Sequence, residues 1–208
     1  MPRPLRYVAL GDSYTIGTAL DDPAQRWPDQ LVRALGGEPP ALELVANLGV
    51  NGSTSGDVVG AQLPQLDGLH PDLVSLLVGV NDVVRRIPAF VYPTNIRNIL
   101  DHVLARLPAD RIVTVATPDY TVTPAGADYG DPAEQAAGIR RNNDVVRELA
   151  ERLGVAFVDI HDLSLRAATD RSLVADDGLH PSGAQYALWV ERIAPVVARL
   201  IGRTAGRA

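Results

Sequence analysis

Ser13 stands where the apolar run Tyr7-Val8-Ala9-Leu10 gives way to Gly11-Asp12-Ser13-Tyr14. A serine at the end of a strand can serve as a nucleophile if a base takes its proton and donors hold the charge that develops. Candidates for both jobs lie further along. In Asp177-Gly178-Leu179-His180, the spacing lets a carboxylate reach an imidazole and fix its tautomer. Asn81, in Gly79-Val80-Asn81-Asp82, carries an amide that could donate to an oxyanion. Gly52, in Asn47-Leu48-Gly49-Val50-Asn51-Gly52, could bring a backbone N–H close to a ligand. The chemistry these residues could perform together is acyl transfer through a serine. Taken singly, each has an ordinary structural reading. Gly-Asp-Ser is also a turn or helix cap, Asp-Gly and Asn-Asp turn the chain, and glycine loops are common.

Composition narrows the alternatives. The chain has 208 residues, is 46% hydrophobic and carries a formal charge of -6, which fits one globular domain with a real core. That acidity argues against a nucleic-acid partner. All 19 basic residues are arginine, so a phosphate-loop lysine, a pyridoxal Schiff base and a Ser-x-x-Lys pair are excluded. With no cysteine there is no disulfide framework, thiol nucleophile or cysteine zinc site. The four histidines never form His-Glu-x-x-His, so neither a catalytic metal nor another cofactor is expected. No secretory segment precedes the first strand and no apolar run approaches the ~20 residues needed to span a bilayer. A cytoplasmic protein is favoured over one whose leader has been removed.

The elements that must position these residues read as alternating strands and helices. Strands are expected over 6–10, 42–46, 72–78, 111–116 and 155–160. Helices are expected over about 28–35 (ended by Gly36-Gly37), from about Asp57 with a weak point at Pro64, over 94–107, from the Asp131-Pro132-Ala133-Glu134 cap to about Leu153, and from Ser182 onward with a bend at Pro195. Residues 202–208 are expected to be a frayed tail. Strands separated by helices of this length imply βαβ crossovers and a parallel sheet in a single domain spanning 1–208. In such sheets ligands sit at the carboxyl ends of the strands, where Ser13, Gly52, Asn81 and His180 all fall.

In order and in spacing, the four stretches resemble the sequence blocks of the GDSL, or SGNH, hydrolases, and the resemblance covers nearly the whole chain. It implies a flavodoxin-like three-layer α/β/α sandwich with a five-stranded parallel sheet in the order 2-1-3-4-5. It also implies Ser13 as nucleophile, His180 as base, Asp177 as its partner, and Gly52, Asn81 and the Ser13 N–H as the oxyanion hole. Tyr14 replaces the name-giving leucine, with consequences for packing or the pocket. The Gly-x-Ser-x-Gly elbow of ordinary α/β-hydrolases is absent, since Gly52-Ser53-Thr54-Ser55-Gly56 has threonine at its centre.

The implied activity is hydrolysis of a small carboxylic ester through an acyl-enzyme, with a short- to medium-acyl esterase, lipase or lysophospholipase preferred. Carbohydrate O-acetylesterase and thioesterase activities use the same residues. The connections after strands three and four are expected to overhang the site, with Val83, Ile87, Phe90, Val91 and Tyr92 in the first and Tyr120, Val122 and Tyr129 in the second; Tyr14 and Leu179 complete the expected substrate contacts. A non-catalytic binding module on the same sheet is the reading from another class. It leaves the Ser13–His180–Asp177 set without a use. Arg85 and Arg86 read as solvated, Asp12 as a loop-bracing acceptor, and the oligomeric state is open.

Overall fold

The chain opens with β1 (Leu5–Gly11), whose stretch from Tyr7 to Leu10 is apolar and buried on both faces. Tyr7 and Ala9 enter one buried cluster, while Val8 and Leu10 enter the other. A strand of this kind belongs in the middle of a covered parallel sheet. The computed structural model describes residues 3–36 and 40–205, and in it β1 pairs in parallel with strands on both sides.

After β1 come the short α1 (Ser13–Ile16), α2 (Trp27–Leu35) and β2 (Leu42–Asn47). A broken helical stretch then leads to β3 (Leu73–Leu77), α3 (Val80–Val84), α4 (Val91–Leu104) and β4 (Ile112–Val115). The chain closes with α5 (Pro132–Leu153), β5 (Ala156–Val158) and α6 (Gly183–Ala205). The sheet order is β2-β1-β3-β4-β5, all neighbours parallel. On one face, Trp27 and Leu31 of α2 and Tyr186, Trp189, Ile193 and Val197 of α6 cover Tyr7, Leu73, Leu77 and Val113. On the other, Ile96, Ile99, Leu100 and Val103 of α4 and Val146 of α5 cover Val8, Val74 and Leu76. This is the flavodoxin-like sandwich, with its three layers and strand order.

Several boundaries differ from the sequence reading for identifiable reasons. The helix expected from Asp57 is instead a succession of turns. Thr54 and Asp57 form a reciprocal capping box for Ser55–Asp57, Val58–Gln62 is a π turn, Leu63–Gln65 is 3-10, and Leu66–Leu69 is α-helical. Proline lacks an N–H and its ring crowds the carbonyl four residues back, so Pro64 removes a helical hydrogen bond where the expected helix would pass. The chain widens before it, with Leu63 N–H bonding to Val58 O, and tightens around it. α4 begins at Val91, three residues before its expected start, and buries Tyr92. α6 passes through Pro195 and extends to Ala205, beyond the point where the tail was expected to begin. α2 ends at Leu35 with Gly36 as its cap; Gly37 and residues 206–208 lie outside the described residues.

Ile99 is fully buried against the sheet and far in sequence from the strand-end loops. Ile99→Ala should lower stability by about 2–5 kcal/mol through lost transfer energy and a residual cavity. In urea unfolding, the midpoint should fall while the folded variant keeps the parent's ester turnover.

Candidate active site

The end of β1 turns at once into α1, and the local sequence dictates how. Asp12 caps the helix, accepting the Tyr14 N–H on Oδ1 at 3.0 Å, and Gly17 closes it with φ of 73°. Ser13 is thereby held at the first position of α1, at the carboxyl edge of the sheet. Asp12 is fully buried. Burial pushes its carboxyl up to about 8, against the Tyr14 hydrogen bond that favours the charged form and with further repulsion from Asp82.

At the other end of the chain, Asp177 organises the loop before α6. Its Oδ1 accepts the N–H groups of Leu179 and His180, both at 2.9 Å, and its Oδ2 lies 2.5 Å from His180 Nδ1. Burial works against the Asp177 carboxylate, but the His180 side chain and these two N–H groups together hold it below its usual range. A carboxylate on Nδ1 requires a proton there and leaves Nε2 as the acceptor. Gly178, at φ of 72°, makes the turn, and its carbonyl takes the Ala125 N–H.

Between these two lie the loops after β2 and β3, bound tightly to each other. Asn81 Nδ2 donates to Ser53 O at 3.0 Å, and Arg85 Nη2 donates to Gly52 O at 2.6 Å. The buried Asp82 accepts both the N–H and the hydroxyl of Ser55. An amide nitrogen has two hydrogens, so Asn81 keeps one for a ligand. Gly52 has φ of 80°, a left-handed conformation that suits glycine. Arg85 is exposed, as its reading as solvated expects, and it also donates to this loop. Asn81, read as the end of strand three, sits within the helical turn α3.

Ser13, Tyr14, Asn81, Leu179 and His180 line one cavity of about 80 Å³, together with Asn51, Val80, Val84, Tyr120 and Tyr129. The Tyr14 ring lies 5.7 Å from that of His180. Of the expected substrate contacts, Tyr14 and Leu179 are therefore at the site, as are Tyr120 and Tyr129 of the connection after β4. Val83, Ile87 and Tyr92 line a separate cavity of about 290 Å³ instead. Tyr92 is a core residue: it is 2% exposed and its hydroxyl donates to Val78 O at 2.8 Å. Phe90 is 76% exposed and lines neither cavity. These corrections share a cause. The stretch after β3, expected to overhang the site, begins with α3, which turns Val80, Asn81 and Val84 toward Ser13 and directs Val83 to the other side. The apolar pair Val80 and Val84, four residues apart, was the available signal for that turn.

A serine, a carboxylate-bound histidine and an amide thus line one cavity at the carboxyl edge of a parallel five-stranded α/β sandwich. The chain belongs to the GDSL-like lipase/acylhydrolase family, whose model matches residues 9–188, and it is a serine carboxylester hydrolase. Among its relatives, an arylesterase of Vibrio mimicus is 32% identical over 183 residues, covering 85% of this chain and 80% of that one. An acetylxylan esterase of Geobacillus stearothermophilus, solved as a catalytic mutant, shares the fold with a TM-score of 0.71 at 19% identity, covering 97% of this chain and 96% of the other. A GDSL-family lipolytic protein of Desulfitobacterium hafniense gives a TM-score of 0.73 at 18% identity, over 92% and 99% of the two chains. No helix among the described residues is long and apolar enough to cross a membrane.

The raised Asp12 carboxyl fixes a sign for the pH dependence of stability. Between its ordinary value of 3.8 and about 8, the unfolded chain has released this proton and the folded chain still holds it. Unfolding free energy therefore falls as pH rises through that window. Asp12→Asn keeps an acceptor for Tyr14 N–H and removes the titration. Its stability relative to the parent should rise from pH 5 to pH 8 in urea unfolding; a constant difference would show that Asp12 stays ionised throughout.

Proposed function

We propose that Ser13 is the nucleophile, His180 the general base and acid, and Asp177 the group that orients and stabilises the imidazolium. Asn81, Gly52 and the Ser13 N–H receive the oxyanion. The observation that carries this reading is the Asp177 carboxylate on His180 Nδ1, which leaves Nε2 as the acceptor in a cavity that Ser13 also lines. In the first half-reaction, His180 Nε2 takes the Ser13 proton as Oγ attacks the ester carbonyl. Collapse of the tetrahedral intermediate breaks the bond to the leaving alcohol, which receives that proton from His180. Water then attacks the acyl carbonyl as His180 Nε2 takes its proton; collapse breaks the bond to Ser13 Oγ, which receives that proton from His180 as the acid leaves.

The size and lining of the cavity support a short acyl group. About 80 Å³ is well below the ~300–1,000 Å³ typical of pockets for drug-sized ligands. Tyr14, Val80, Val84, Tyr120 and Leu179 make its walls largely apolar. The relative named as an arylesterase supports an aromatic leaving group, and Tyr120 and Tyr129, packed edge to face with centroids 5.7 Å apart, offer one an aromatic wall. The substrate class proposed is therefore short-chain carboxylic esters, aryl esters among them.

Hydrolysis of p-nitrophenyl esters of increasing chain length tests this directly. Turnover should be greatest for acetate to butyrate and fall for longer chains. Ser13→Ala should lose activity by ~10³-fold or more. Removing one oxyanion donor in Asn81→Ala should cost ~10²–10³ in kcat with the fold intact. An optimum at octanoate or longer would overturn the short-acyl assignment, and near-parental kcat in Asn81→Ala would remove it from the oxyanion hole.

A further inference from the structure

The strand that carries the proposed nucleophile has a gap in its ladder just before it. β2 pairs with β1 only as far as Ala9, opposite Asn47, and the Leu48 N–H donates to Ala9 O at 2.8 Å. In a parallel strand, backbone groups of alternate residues face the same neighbour. Gly11 is thus the next residue to present its N–H and C=O to that side, after β2 has ended. A side chain supplies the partner that the Gly11 N–H lacks on that side and shares the Gly11 carbonyl with the Val50 N–H. Gln62 Oε1 accepts the Gly11 N–H at 2.9 Å, and its Nε2 donates to Gly11 O at 2.7 Å.

Two further features single out this pair of bonds. Gln62 is 2% exposed and lies 51 residues from Gly11 in sequence, so it is held there by tertiary structure. It ends the π turn Val58–Gln62, and single π turns recur at functional sites. Gly11 O also receives the Val50 N–H at 3.3 Å, from the loop that presents Gly52. The Gly11 peptide groups therefore join the nucleophile strand, Gln62 and the loop of a proposed oxyanion donor within two residues of Ser13.

The geometry points to Gln62 as a positioning residue for catalysis: its carboxamide completes the β1 ladder at Gly11 and so fixes Ser13 relative to the Gly52 loop. The inference rests on Ser13 being the nucleophile. Gln62 touches no substrate in this scheme and moves no proton. Its effect is on the placement of reacting groups, where small displacements cost rate without weakening substrate binding.

The test uses Gln62→Met, which removes donor and acceptor at similar volume, and Gln62→Glu, which when ionised keeps the acceptor for Gly11 N–H and loses the donor to Gly11 O. Both are assayed on p-nitrophenyl acetate well below their melting midpoints, with folded fraction checked by circular dichroism. In folded Gln62→Met, kcat and the rate of fluorophosphonate labelling at Ser13 should fall by on the order of 10-fold while KM stays within about twofold. Gln62→Glu should lie between it and the parent, and it decides the matter if Gln62→Met does not fold. Parental kcat in a folded variant, or a loss that only follows the unfolded fraction, would overturn the proposal. Ser13→Ala in the same series separates the two levels: if it retains turnover, the nucleophile assignment itself fails, whatever Gln62 does.

Discussion

The tightest constraint in the molecule is the absence of a side chain at Gly11. A Cβ there would lie 2.2 Å from both Leu77 O and Thr15 Oγ1, distances no packing adjustment could relieve without moving backbone. That lets β1 stay in register with β3 to its last residue, pairing Gly11 with Leu77, and still turn at once into α1. Ser13 is thus set by a strand buried on both faces, as rigid a support as a small α/β domain offers. Thr15, whose hydroxyl fills the space over Gly11, is itself fully buried.

The rest of the site is a set of loops held by one another. The loop after β2 is tied to α3 through Gly52 O, Ser53 O and Ser55, which meet Arg85, Asn81 and Asp82 in turn. Asn47 Nδ2 ties the same loop to α1 through Thr15 O at 2.7 Å. Such bonds are individually modest, on the order of 1 kcal/mol each. Their importance is geometric, because donors aimed at a developing charge help only if they do not have to reorganise. Burying Asp12 and Asp82 carries an energetic cost, seen in the carboxyls of both, which desolvation raises. Sites commonly accept such costs where placement matters more than stability.

Tyr14 links the turn that bears Ser13 to the far end of the chain. Its ring lies 5.7 Å from His180 and 6.4 Å from Trp189, and Trp189 packs edge-on against Tyr186 at 4.9 Å. Where the family motif has leucine, this chain has an aromatic ring that bridges α1, the loop bearing His180 and α6. Its 3% exposure makes it a packing residue as much as a wall of the cavity.

Much of this was legible before any coordinates. Apolar runs bounded by glycine and proline located all five strands to within a few residues, because a strand covered on both faces has little freedom in composition. The residue types at Ser13, Asn81, Asp177 and His180 marked them as candidates, and the three-residue spacing of Asp177 and His180 is short enough for a loop to close unaided. The order of the sheet was not in the periodicity; only the family resemblance implied it. Tertiary structure alone decided the rest. Whether Tyr92 faced substrate or core depended on where α4 began, and whether Val83 or Val84 faced Ser13 depended on a single helical turn after Gly79. Gln62 and Arg85 carried no local signal, since an amide or guanidinium acquires a role only from the backbone group it reaches, and Gly11 and Gly52 lie 51 and 33 residues away. Sequence determines what a side chain can do, whereas packing across the sheet determines which atom it does it to.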